Sequence, residues 1–133
     1  MPMRLLLIDD ERPIVAAIRR LMSTDDVVGA HTGADALRLL RESEPFDVVV
    51  CDLMLPDCDG EDVYVEATRV APDLEPRFLF MTGGATTERA ERFLAAVAPR
   101  TIRKPFDPQG MSARLREHAS KLSTRRLRAT PLH

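Results

Sequence analysis

The hydrophobic pattern of the chain alternates between two kinds of segment. Short, unbroken apolar runs occur at Leu5-Leu6-Leu7-Ile8, Val48-Val49-Val50-Cys51 and Phe78-Leu79-Phe80-Met81. Runs with no polar alternation predict strands buried on both faces, as in a parallel sheet. Weaker runs at Val27 to Ala30 and Thr101-Ile102 predict two more strands. Segments of helical period lie between them. Ile14, Ile18, Leu21 and Met22 share one face, as do Val63, Ala67 and Val70. Ala90, Phe93, Leu94 and Val97 form a third stripe, and Met111, Leu115, Ala119 and Leu122 a fourth. Leu37 and Leu40 mark a shorter helix from about Gly33 to Glu42.

The start signals agree with this division. Thr32 with Asp35 three residues on reads as a capping-box variant. Asp107-Pro108 reads as an N-cap followed by proline at the first helical position. Prolines at 45, 56, 72, 76 and 99 punctuate the units. Strand then helix, repeated five times, predicts an open α/β fold: a parallel sheet with helices on both faces, in three layers.

Composition sets bounds on this picture. The chain has 133 residues, 44% of them apolar, which is enough for one domain with a real core. Trp is absent and aromatics are few, so the core is expected to be largely aliphatic. The formal net charge of -2 gives no nucleic-acid footprint. Acidic residues gather at Asp9, Asp10 and Glu11, and at Asp57, Asp59, Glu61 and Asp62. Basic residues gather at Arg125, Arg126 and Arg128, in a segment 123–133 read as a basic tail or linker start after a domain spanning 1–122. Cys51 and Cys58 form no C-x-x-C pair, and a disulfide is not needed; a reducing cytoplasm is the expected setting. No signal peptide or membrane-spanning stretch is visible.

In an open parallel sheet, ligands bind beyond the carboxyl ends of the strands. The first run ends in Asp9-Asp10, the third in Asp52, the fourth in Thr82 and the fifth in Lys104. Three carboxylates brought together repel one another and raise one another's pKa. A divalent cation relieves that conflict, and an all-oxygen set with water suits Mg²⁺; without Cys or His, Zn²⁺ is not expected. The Lys104 ammonium and the Thr82 hydroxyl can both contact phosphoryl oxygens. A carboxylate nucleophile among them would form an acyl phosphate, and Asp52 at the end of a central strand is the natural candidate.

These motifs resemble the response regulator receiver family over about Met3 to Leu122. Leu7-Ile8-Asp9-Asp10-Glu11 is similar to its acidic pair, and Asp52-Leu53-Met54-Leu55-Pro56 with Gly60 to its phosphoacceptor signature. Met81-Thr82-Gly83-Gly84 and Lys104-Pro105-Phe106 resemble its hydroxyl and Lys-Pro motifs, the latter with a peptide bond that is often cis. The resemblance implies a flavodoxin-like, doubly wound sheet of order 2-1-3-4-5 with five helices. It implies phosphoryl transfer to Asp52 from a histidine kinase or histidine phosphotransfer protein. Asp10, Asp52 and the Met54 carbonyl would hold Mg²⁺ directly, with Asp9 acting through water, and Lys104 and Thr82 would contact the phosphoryl group. It further implies an output protein of unknown identity, a monomer or phosphorylation-linked homodimer, a cytoplasmic location, and no nucleic-acid or membrane partner. Beyond self-phosphorylation and self-dephosphorylation, no enzyme activity is expected.

One position departs from the family. An aromatic switch residue commonly stands three residues before the lysine; here it is Thr101. Phosphorylation is therefore expected to reach the output face differently or less. Gly83, Gly84 and Met54 offer no polar side chain to position a hydrolytic water, which predicts slow self-dephosphorylation. The Gly-Gly turn and Thr101 also resemble receivers of hybrid sensor kinases. A haloacid-dehalogenase-like phosphatase would need a second Asp at position 54, where Met stands. A receiver-fold interaction module would have lost acidic or lysine positions, all kept here. A flavodoxin-like cofactor binder would need a phosphate loop where Asp9 and Asp10 stand.

Overall fold

The computed structural model describes residues 2–84 and 87–129, with side chains through Leu122. Five strands alternate with five α-helices: β1 (Arg4–Ile8), α1 (Arg12–Leu21), β2 (Asp26–Ala30), α2 (Gly33–Glu42), β3 (Val48–Asp52), α3 (Gly60–Val70), β4 (Phe78–Thr82), α4 (Glu88–Ala96), β5 (Thr101–Arg103) and α5 (Pro108–Ala129). Short 3₁₀ turns at Pro72–Arg77 and Ala98–Arg100 lead into β4 and β5. All strand pairs are parallel, in the order β2-β1-β3-β4-β5. The expected doubly wound fold is therefore present.

The unbroken apolar runs do what a doubly covered sheet requires. Alternate residues of each strand serve opposite cores. Leu6, Ile8, Val49, Cys51, Phe78 and Phe80 face a core closed by α2, α3 and α4. Leu5, Leu7, Val48, Val50, Leu79 and Met81 face a core closed by α1 and α5. The two cores differ in kind. Phe46, Phe78, Phe80 and Phe93 all lie in the first, with Tyr64 packed edge-on against Phe78 and Phe80 at 5.1 and 5.3 Å. Met3, Met22, Met81 and Met111 all lie in the second.

The helix faces are those expected, with two adjustments. On α1 the buried stripe is Val15, Ile18 and Met22, so Leu21 stands 38% exposed and Ile14 sits on the flank. Spacing alone could not separate these, because residues 14, 15, 18, 21 and 22 all fall within one broad arc. On α3, Val63 and Ala67 are buried but Val70, in the last turn, is 58% exposed. Thr32 caps α2 by accepting from the Asp35 N–H at 3.1 Å, and Asp107 caps α5 by accepting from the Gly110 N–H at 3.2 Å. Helix α5 runs to Ala129, so the boundary expected at Leu122 falls inside it. The side chains of Arg125, Arg126 and Arg128 lie outside the described residues.

Gly60, at the start of α3, shows why the β3–α3 connection needs a glycine. A Cβ there would lie 2.5 Å from the Asp52 carbonyl oxygen and 3.0 Å from Leu53 Cα, both backbone atoms that cannot swing aside. We expect Gly60→Ala to cost about 1–3 kcal/mol of stability through this clash. Urea unfolding of variant and parent checks it, an unchanged midpoint being the contrary result.

Candidate functional site

The carboxyl edge of the sheet gathers its polar residues because each lies at or just past a strand end. Asp52 closes β3 and Thr82 closes β4; Asp9 follows β1, and Lys104 follows β5. The order β2-β1-β3-β4-β5 places β3 between β1 and β4, so Asp52 stands at the centre. Lys104 is fixed by its own backbone, whose N–H donates to the Thr82 carbonyl at 2.7 Å. The Lys104-Pro105 peptide bond is cis, as the motif implied.

Lys104 reaches three carboxylates at once. Its Nζ lies 2.9 Å from Asp52 Oδ2, 2.7 Å from Glu11 Oε2 and 3.0 Å from Asp9 Oδ2. Burial alone would lower the ammonium pKa, but hydrogen bonds to Asp52, Glu11 and Asp9 outweigh it and raise the pKa above its ordinary value. Lys104 is therefore a fixed positive charge at neutral pH. Asp9 is fully buried, and its Oδ1 accepts the Glu11 N–H at 2.9 Å. Burial raises the Asp9 pKa, opposed by that backbone bond and by Lys104, and aided by the nearby charge of Asp52.

Asp9, Asp10 and Asp52 each offer a carboxylate oxygen within 4.8 Å of the others, with Asp10 exposed. Met54 lies beside them: its N–H donates to Asp52 Oδ1 at 3.3 Å, and its backbone pairs with Asp59 in an isolated bridge. The Thr82 hydroxyl, largely buried, accepts from the Gly84 N–H at 3.0 Å. Gly84 has φ +127°, a conformation that favours glycine, and a Cβ at Gly83 would meet nothing within 4 Å. Thr101, at the position expected to lack an aromatic, donates its hydroxyl to the Val97 carbonyl at 3.2 Å.

All the strand-end residues named from the sequence sit on this edge. Glu11 was seen there only as part of an acidic run, yet it makes the shortest contact to Lys104. Arg89 gave no signal in the sequence. It ties α4 to the start of α3 through Asp62 Oδ1 at 2.7 Å, Glu61 Oε1 at 2.8 Å and Asp59 Oδ2 at 3.3 Å. Cys51 and Cys58 are both free thiols, the first fully buried.

Fold and site together define a small doubly wound α/β domain with a carboxylate and ammonium pocket at its carboxyl edge. The response regulator receiver domain model matches residues 5–116, and the chain belongs to that family. Receiver domains are phosphoacceptors in two-component signalling and generally bind Mg²⁺ at an acidic pocket. The family implies a histidine kinase or phosphotransfer partner and an output partner.

Response regulator MprA of Mycobacterium sp. (strain KMS) is 34% identical over 118 residues, 87% of this chain and 50% of that protein. The chain thus spans about half the length of the curated relatives it matches. Relatives twice as long as the match do not fit the expectation of no nucleic-acid partner, which rests on the charge of these residues alone. The non-phosphorylated HemR receiver domain from Leptospira biflexa is 29% identical, with a TM-score of 0.73, over 100% of this chain and 99% of that one. A CheY-like receiver domain protein from Methanospirillum hungatei JF-1 shares the fold at 22% identity, with a TM-score of 0.79, over 94% of this chain and 99% of that one. Among the described residues no helix is long and apolar enough to cross a membrane.

The donor set fits Mg²⁺. It is all oxygen, and the three carboxylates, with Asp9 fully buried, share only the Lys104 ammonium as a positive partner among the described residues. The raised pKa of Asp9 sets a pH dependence. The folded carboxyl holds its proton more tightly than the unfolded one, so its contribution to stability is present at low pH and is lost as pH rises through the folded pKa. We expect Asp9→Asn, without Mg²⁺, to be more stable than the parent at pH 7, and the difference to vanish toward pH 3. Thermal melts across that range check this; a constant difference would contradict it.

Proposed function

We propose that this chain accepts a phosphoryl group on Asp52 from a phosphohistidine donor, in a reaction that needs Mg²⁺, and that the modified domain changes what it binds. The observation that carries this is the Lys104 ammonium 2.9 Å from Asp52 Oδ2, beside three carboxylates able to share one cation.

An oxygen of the Asp52 carboxylate attacks phosphorus and the P–N bond to the donor imidazole breaks; with its other ring nitrogen already protonated from solvent, the imidazole leaves in its neutral form. Before attack, Lys104 holds Oδ2 and the Met54 N–H holds Oδ1, so the nucleophile is oriented. As the phosphoryl group arrives, Lys104 exchanges carboxylate contacts for a phosphoryl oxygen. The Thr82 hydroxyl, which now accepts from Gly84, turns to donate to another. Asp10, Asp52 and the Met54 carbonyl are the residues that would hold Mg²⁺, with Asp9 through water. When bound, Mg²⁺ neutralises charge on the phosphoryl oxygens.

An apolar groove of about 540 Å³ opens beside Lys104, lined by Pro13, Ile14, Ala17, Pro105 and Phe106. It offers a donor protein a docking surface beside Lys104, with Ile14 on its wall. A cytoplasmic setting accords with the free thiols. Charge added at Asp52 biases the Thr82–Gly84 turn and hence α4, whose position Arg89 also holds.

Incubation with acetyl phosphate and Mg²⁺ should add one phosphoryl group by intact mass, and none in Asp52→Asn or with EDTA. Lys104→Met should slow the reaction at least ~10-fold, through loss of the charge facing the phosphoryl group. A folded parent that gains no mass would leave a receiver-fold interaction module as the better reading. Once formed, the adduct should outlast seconds without a phosphatase; loss within seconds would show that some group here activates water.

A further inference from the structure

Asp57 is one of the acidic residues after β3, and charge alone suggests a solvated loop. Its contacts are more specific. Asp57 Oδ1 accepts the Gly33 N–H at 2.8 Å, and Oδ2 accepts the Ala34 N–H at 3.0 Å. These are the first two N–H groups of α2, which the Thr32 cap leaves unpaired because it serves Asp35. A carboxylate there is favoured by both hydrogen bonds and the helix dipole. The Gly33 bond first, then the Ala34 bond, lower the Asp57 pKa. The fit is close: a Cβ on Gly33 would lie 2.2 Å from Cys58 Sγ, so the loop presses on the helix start.

The loop so anchored is the one that carries Met54. It leaves β3 at Asp52, turns through the Leu55 N–H to Cys58 carbonyl bond at 3.2 Å, and returns at the Met54–Asp59 bridge. Asp57 sits at the apex of that turn, three residues from Met54 and five from Asp52. We propose that Asp57 is a positioning residue for the metal site: by fastening the loop to α2 it holds the Met54 carbonyl and Asp52 at the spacing Mg²⁺ needs. Asp57 touches neither the ion nor the phosphoryl group. This rests on the functional reading above, since it concerns the same metal site. Coupling of this kind is reciprocal, so Mg²⁺ binding in turn steadies the start of α2.

The test is a Mg²⁺ titration alone, followed by backbone amide NMR, on parent, Asp57→Asn and Asp57→Ala. Residues that hold a metal ligand in place commonly contribute 10–100-fold to affinity. We expect Asp57→Ala to weaken Mg²⁺ binding about 10-fold, at the low end because the contact is to the loop rather than to a ligand side chain. Asp57→Asn, which keeps an accepting oxygen, should fall between. In the parent, Mg²⁺ should slow hydrogen exchange at the Gly33 and Ala34 amides, and in Asp57→Ala it should not. A purely structural cap would lower the melting temperature without moving the Mg²⁺ affinity or that exchange difference, and this result overturns the proposal. Should Asp57→Ala not fold, the Asn variant and parent exchange decide: unchanged affinity, or no slowing at Gly33 and Ala34, overturns it equally. A parent that binds no Mg²⁺ overturns the functional reading and this inference together; a parent that binds it while Asp57→Ala binds equally overturns the inference alone.

Discussion

One ammonium group faces more negative charge than it can neutralise. Lys104 contacts Asp9, Asp52 and Glu11, and Asp10 adds a fourth carboxylate close by. Much of the edge can be understood as the means of keeping those charges together. The parallel sheet supplies four strand ends converging on one point. Gly60 lets the backbone of α3 close against Asp52. The Glu11 N–H and the Met54 N–H each spread part of the charge onto the backbone. The remaining imbalance is what a divalent cation in the pocket would relieve.

That electrostatic centre is connected outward by ion pairs and hydrogen bonds rather than by aromatic stacking through β5. Thr101 is occupied with the Val97 carbonyl, while Arg89 joins α4 to the acidic start of α3 and Asp57 joins the metal loop to α2. Exposed ion pairs are individually weak, so such connections shift populations modestly and are sensitive to salt.

The fold was legible in the sequence because buried parallel strands write themselves as unbroken apolar runs. The site was legible because its members are the residues that end those runs. Asp9, Asp10, Asp52, Thr82 and Lys104 could be placed together from position alone. Glu11, Asp57 and Arg89 could not, since each gains its meaning from a side chain crossing to an element far away in sequence. Leu21 and Val70 show a related limit: period fixes the arc a helix buries, while the neighbouring layer decides where that arc ends.

The division of aromatic and methionine side chains between the two cores gives the layers unlike mechanical character. The α2–α3–α4 side is built on interlocking rings, Phe80 and Phe93 meeting at 4.9 Å edge-to-face, and rings have few alternative ways to fit. The α1–α5 side is filled by Met3, Met22, Met81 and Met111, whose unbranched thioethers repack at little cost. The sheet is thus clamped on one side and cushioned on the other. The cushioned side also carries the buried thioethers: a methionine there converted to its sulfoxide would place a polar group beneath α1 and α5, on the side opposite the rings.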